Sequence, residues 1–125
     1  MTREQAVAAL EAGAGLVETE QGHGLDLIGT GEMGIGNTTA ASAVVAAFTG
    51  ARADVVTGTG TGVDDEGRRR KVAVIERALA TNRPEPSDGI DVLAKVGGFE
   101  IALQVLRTAR HIEQPGNARF TCGAA

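Results

Sequence analysis

With 125 residues, 12 Lys and Arg against 16 Asp and Glu for a net charge of −4, and 18 glycines beside three Phe, the chain suffices for one compact domain with a modest core. The acidic balance and the absence of Trp and Tyr exclude a general nucleic-acid binder, which neutralises phosphates with Lys and Arg and adds aromatic stacking surfaces. The most apolar stretch, Ala40 to Phe48, falls far short of the roughly 20 residues needed to cross a bilayer, so no membrane partner is expected.

The charged opening Met1-Thr2-Arg3-Glu4-Gln5 has no apolar run behind it of the secretory type, and a cytoplasmic location is expected. Thr2 followed by Gln5 resembles a capping box, and Ala6, Val7, Leu10 and Ala14 recur at helical spacing until Gly13 and Gly15 break it. The pattern predicts a helix over Arg3 to Ala12. Leu25-Asp26-Leu27-Ile28 reads as a short buried strand running into the glycine-rich Gly29 to Thr39. Thr38 to Thr49 is nearly all small or apolar, which predicts a helix covered on more than one side, with Gly50 as its stop.

Ala53 to Thr57 predicts a second strand, followed by Gly58-Thr59-Gly60-Thr61-Gly62 and the acidic Asp64-Asp65-Glu66. Val72, Ile75 and Leu79 mark the core face of a helix over Asp65 to Ala80. Within it, Arg68-Arg69-Arg70-Lys71 reads as a solvated face paired with its own acidic first turn. Pro84-Glu85-Pro86 forces an extended connection, and Ser87 or Asp88 caps a short helix through Lys95 that Gly97-Gly98 ends. Phe99, Ala102, Leu103, Leu106 and Ala109 keep helical spacing to about His111, after which the tail from Gln114 reads as coil. The single cysteine, Cys122, lies in that tail and offers neither an internal disulfide nor a metal cluster. Strand, glycine loop and helix, twice over, predict an α/β chain: a parallel sheet of few strands with flanking helices, Rossmann-like, with both glycine loops on one edge.

Backbone N–H groups at the start of a helix hold a phosphate best where the residues lack a Cβ, and Gly29 to Thr39 is built that way. Gly34 and Gly36 leave the loop bare around Ile35, while Asn37, Thr38 and Thr39 add side-chain donors at the helix start. Three patterns overlap here. Gly29, Gly31 and Gly34 satisfy G-x-G-x-x-G, with Asp54 near the acidic position of a dinucleotide site; Gly31 to Thr38 satisfies a P-loop except that Asn37 replaces its lysine; and Asn37-Thr38-Thr39 is a glycosylation sequon. Glu32 stands out, because a carboxylate beside a phosphate cradle repels the anion. Either it faces a cationic part of the ligand, or it simply favours the positive end of the following helix. The second loop repeats the device with Gly60 and Gly62. Lys71, two turns into the next helix and off its core face, is either an anion contact or a surface lysine.

The stretch Gly31-Glu32-Met33-Gly34-Ile35-Gly36-Asn37-Thr38-Thr39-Ala40-Ala41 resembles the signature of the nicotinate-nucleotide:dimethylbenzimidazole phosphoribosyltransferase family. Thr2 to Ala6, Gly60 to Asp65 followed by Lys71, and Asp88 to Glu100 agree with it in order and spacing. The resemblance covers residue 1 to about 102, roughly the middle third of the family's enzyme, and sets residues 103–125 apart as a divergent helix end and irregular tail. It implies a gene fragment, a frame-shifted reading or a shortened paralogue, the first two favoured, and a sheet that is an incomplete part of a larger domain.

What the resemblance implies is transfer at ribose C1′: nicotinate mononucleotide loses nicotinate, dimethylbenzimidazole takes its place, and α-ribazole 5′-phosphate forms. The leaving pyridine is already cationic, so the reaction calls for no cofactor or metal. Glu32 then has a role in stabilising the ribosyl cation or the pyridinium, with Gly34, Ile35, Gly36, Asn37, Thr38, Thr39, Gly60, Gly62 and Lys71 binding substrate. The family's general base lies in a Gly-Glu-Gly-Thr-Gly segment that this sequence lacks. The isolated chain is therefore expected to be nearly inactive, and to self-associate where the family forms a homodimer. The alternatives are a non-catalytic nucleotide- or phosphate-binding module and an NAD-binding half of an oxidoreductase.

Overall fold

The computed structural model describes residues 1–24, 29, 31, 36–60 and 62–104. The capping box forms at the start: Thr2 Oγ1 accepts from the Gln5 N–H at 3.2 Å, and Gln5 Oε1 accepts from the Thr2 N–H at 2.8 Å. From it runs α1, Arg3–Gly22, ten residues past its expected end at Ala12. The reason is tertiary. A Cβ on Gly13 would overlap the Leu103 carbonyl oxygen, so this glycine admits a neighbouring backbone rather than ending a helix. Val17, beyond the expected stop, is buried.

Thr38–Thr49 forms α2, closed at Gly50 as expected. Its coverage is partial: Ala43, Ala46 and Ala47 are buried, whereas Val45 and Phe48 stay about half exposed. Ala53–Val56 is a single helical turn, α3, which corrects the strand expected over Ala53 to Thr57. Two β-branched valines favour a strand locally. Side chains from the neighbouring helices instead take up the carbonyls of this turn: Ser42 Oγ donates to Val56 O, and Arg68 donates to Asp54 O and Thr57 O. The other expected strand, 25–28, lies outside the described residues. Among the described residues there is no strand, so the expected parallel sheet finds none of its members there.

Asp64 caps α4, Asp65–Asn82, by accepting from the Gly67 N–H at 2.8 Å. Asp88 caps α5, Gly89–Val96, by accepting from the Ile90 and Asp91 N–H groups at 3.1 Å. Residues 99–104 are again helical, and the expected continuation to His111 and the tail lie outside the described residues.

Two apolar clusters meet at α5. Val92 and Val96, one turn apart, join Ala43, Ala47, Ala53 and Ile75 between α2, α3 and α4. Leu93, on another face, joins Ala6 of α1 and Ala102. Both clusters are aliphatic; Phe48 and Phe99 remain about half exposed, and Phe120 lies outside the described residues.

Ion pairs fasten the α5 end of the molecule. Arg3 donates to Asp88 at 2.6 Å, and Lys95 pairs with Asp91 at 2.9 Å. The hydrogen bond from Arg3 holds the Asp88 carboxyl below its ordinary value of 3.8, and that from Lys95 does the same for Asp91. A folded pKa below the unfolded one means that the unfolded chain binds more protons as pH falls. The stabilisation is thus complete above pH 3.8 and is lost as pH drops through the folded values. Thermal melts across this range should show the midpoint falling below about pH 4, less steeply in Asp88→Asn. A midpoint flat through this window, or an unchanged slope in the variant, counts against that linkage.

Candidate functional site

The start of α2 and the middle of α4 face one another. Lys71, six residues into α4, donates from Nζ to Thr38 Oγ1 at 2.9 Å, in a partly buried contact across 33 positions of sequence. Gly60 sits against this pair: a Cβ there would lie 3.3 Å from Lys71 Nζ and 3.5 Å from Thr38 Oγ1. Its φ of +63° favours glycine independently of that crowding. Three separate sequence motifs, the first glycine loop, the second and the basic run, therefore contribute one residue each to a single locus.

The electrostatics of this locus are one-sided. Lys71 makes no ion pair with a carboxylate among the described residues, in contrast to Arg3, Arg52, Arg70 and Lys95. Because Thr38 Oγ1 accepts from the ammonium, its own O–H is left to donate elsewhere. The first N–H groups of α2 have no partner within their helix and carry the positive end of its dipole. Ammonium, hydroxyl and helix start each offer donors here. Such a set matches an anion.

Asn37 precedes α2 as its N-cap residue but makes no side-chain cap, and its buried Oδ1 has no hydrogen-bond partner among the described residues. Thr39 is half-buried in the first turn of α2. Gly36 and Gly62 are exposed, just before α2 and α4 respectively. Glu32, Gly34 and Ile35 lie outside the described residues.

Two sequence readings change here. Asp54, the acidic partner of the dinucleotide pattern, lies in α3 rather than in a strand, and both its carboxylate oxygens accept from Arg52, at 3.0 and 2.8 Å. The hydrogen bond from Arg52 holds its carboxyl below the ordinary value. In the basic run, Arg70 pairs weakly with Glu66 at 3.7 Å, as a solvated face would, but Arg68 turns inward to the carbonyls of α3. Arg68 and Ser42 were not among the expected site residues. Helical spacing was the available signal: Arg68 precedes Lys71 by three positions and Ser42 follows Thr38 by four, so each shares a face with a site residue. Glycine-loop motifs do not weigh that spacing.

Away from this locus, His23 closes α1 with its side chain 3.8 Å from Glu20, and His111 and Cys122 lie outside the described residues. Among the described residues no group of three His, Cys, Asp or Glu is placed to hold a metal ion, and no helix is long and apolar enough to cross a membrane.

The chain is 64% identical over 101 residues to the nicotinate-nucleotide–dimethylbenzimidazole phosphoribosyltransferase of Syntrophotalea carbinolica, covering 81% of this chain and 28% of that protein. It is 54% identical over 114 residues to the protein of the same name from Desulforudis audaxviator, covering 89% and 32%. The crystal structure of CobT from Thermus thermophilus superposes with a TM-score of 0.81 at 43% identity, over 90% of this chain and 34% of that one. The described helices therefore adopt the CobT fold over the shared stretch, and the chain spans about a third or less of the length of these relatives. The phosphoribosyltransferase family model DBI_PRT matches residues 1–106, and the chain belongs to that family.

Proposed function

We propose that this chain carries the phosphate-side half of a nicotinate-nucleotide:5,6-dimethylbenzimidazole phosphoribosyltransferase site, in the reaction that gives α-ribazole 5′-phosphate for cobalamin biosynthesis. The observation that carries the reading is the Lys71–Thr38 contact beside Gly60, an anion locus assembled from two blocks of the family match. The names of the relatives supply the substrates, nicotinate mononucleotide and dimethylbenzimidazole.

On this reading Lys71, the Thr38 hydroxyl and the main-chain N–H groups at the head of α2 hold the nucleotide's 5′-phosphate. Thr39, Asn37, Gly36, Ile35 and Gly34 border it, and Gly60 and Gly62 let the second loop approach without side chains. Glu32 is assigned to the cationic side of the substrate, where a carboxylate stabilises the positive ribosyl centre as the C1′–N bond breaks. The attacking azole nitrogen must then lose its proton. The Gly-Glu-Gly-Thr-Gly segment that supplies the family's base is absent from this sequence, which removes about 10² to 10⁴-fold of rate before any loss from the benzimidazole pocket.

The same reading keeps residues 1–102 as the site-bearing segment and 103–125 as a divergent end, and it places the parallel sheet in the wider fold of the family. It also takes the chain as cytoplasmic and independent of nucleic acid. The half-exposed Val45 and Phe48 support self-association.

Purified chain mixed with nicotinate mononucleotide and dimethylbenzimidazole should bind the nucleotide more tightly than ribose 5-phosphate yet form almost no α-ribazole phosphate. Equal affinity for the two would favour a plain phosphate-binding module. Absence of binding would overturn the reading, and robust turnover would assign the base to a residue of this chain, Glu32 first.

A further inference from the structure

Gly60 reaches Lys71 and Thr38 only if the chain leaves α3 in the right direction, and the end of α3 is held by side chains rather than by a longer helix. Thr57, almost fully buried, donates from Oγ1 to Ala53 O at 2.6 Å. Ser42 Oγ donates to Val56 O at 3.1 Å. Arg68 supplies the remaining two bonds, from Nε to Thr57 O at 2.8 Å and from Nη2 to Asp54 O at 2.5 Å. A four-residue helix cannot satisfy its own last carbonyls, so these donors decide the turn's conformation. The two Arg68 bonds leave one rigid plane and land on carbonyls three residues apart, which fixes an orientation as well as a position.

The side chains that hold the turn share helix faces with those that form the anion locus. On α4, Arg68 precedes Lys71 by one turn; on α2, Ser42 follows Thr38 by one turn. The packing of α2 on α4 therefore fixes both the locus and the root of the loop that completes it. We infer that Arg68 is a positioning residue: by clasping the carbonyls of Asp54 and Thr57 it sets the exit of residues 58–60 and holds Gly60 against Lys71 and Thr38. Its effect on ligand affinity rests on the function proposed above; its effect on the loop does not.

The test uses the 125-residue chain with Arg68→Met, which keeps an apolar stem and removes the planar donors, Arg68→Lys, which keeps charge but offers one point donor, and Arg70→Met as a control on the exposed face. Backbone ¹⁵N relaxation at Gly58 and Gly60, compared with Ile75 and Val92 in the core, reads the loop directly. Wild type and Arg70→Met should give rigid values near 0.85 at all four positions, whereas Arg68→Met should drop below about 0.6 at the two glycines alone. Arg68→Lys should fall between. Nicotinate mononucleotide affinity, by calorimetry, should weaken on the order of tenfold or more in Arg68→Met and stay unchanged in Arg70→Met.

Rigid glycines in Arg68→Met would overturn the inference, as would loosening that spreads equally to Ile75 and Val92, the mark of a merely structural residue. Should Arg68→Met fail to fold, Arg68→Lys decides: a loop as ordered as wild type overturns the inference, and selective loosening supports it. A wild-type chain that binds no nicotinate mononucleotide would sink the proposed function and leave the relaxation result standing by itself.

Discussion

Lys71→Met should weaken nicotinate mononucleotide binding by roughly 10- to 150-fold, the equivalent of about 1.5 to 3 kcal/mol for hydrogen bonds to a charged group. Met keeps the apolar stem of the lysine, so packing against the body of α4 is largely retained and the ammonium is what is lost. Within the free protein that ammonium has a neutral hydroxyl as its partner, a contact that contributes on the order of 1 kcal/mol and spans α2 and α4. The two roles separate experimentally. If Lys71 is an anion contact, the affinity for nicotinate mononucleotide falls by far more than the midpoint of thermal unfolding suggests, and the loss shrinks in high salt as the phosphate is screened. If it is chiefly a strut between helices, the unfolding midpoint moves and the affinity of the folded fraction does not. Unchanged affinity in a folded Lys71→Met chain would contradict the assignment of this locus to phosphate.

Local chemistry made some of this structure legible in the sequence. The Thr2–Gln5 box, the Gly50 stop and the Asp88 cap each need only residues within one turn, and all three form as expected. Long-range contacts explain the misses. Gly13 looks like a stop signal until Leu103, 90 positions later, is seen lying against it. Val55 and Val56 look like a strand until Arg68 and Ser42 arrive from two other helices to hold a helical turn. The site divides the same way. Thr38, Gly60 and Lys71 each belong to a recognisable motif, but their meeting depends on the packing of α2 on α4, which no motif encodes. Glu32, the residue that stands out in the first loop of the sequence, lies outside the described residues.

That packing rests on Ile75, and Ile75→Ala should cost about 2 to 5 kcal/mol, toward the upper end of that range. The side chain is fully buried among Ala43, Ala47, Ala53, Val92 and Val96. Three of these neighbours are alanines. They have no side-chain freedom with which to fill the space an isoleucine leaves, so the cavity stays open and the lost contacts are not recovered. Against a typical total of about 5 to 15 kcal/mol for a domain, such a loss removes a large share of stability. Ile75→Val, shorter by one methylene, should cost about 0.5 to 1.5 kcal/mol and leave the chain folded. Ile75 lies one turn beyond Lys71 on α4, so the two variants also probe how tightly the locus depends on the core. Urea titrations followed by helical circular dichroism give the stabilities, and calorimetry on Ile75→Val should show nicotinate mononucleotide affinity near that of wild type. An Ile75→Ala chain as stable as Ile75→Val would mean that α2, α4 and α5 close over the vacated volume, and that the alanines yield through backbone movement rather than holding the helices apart.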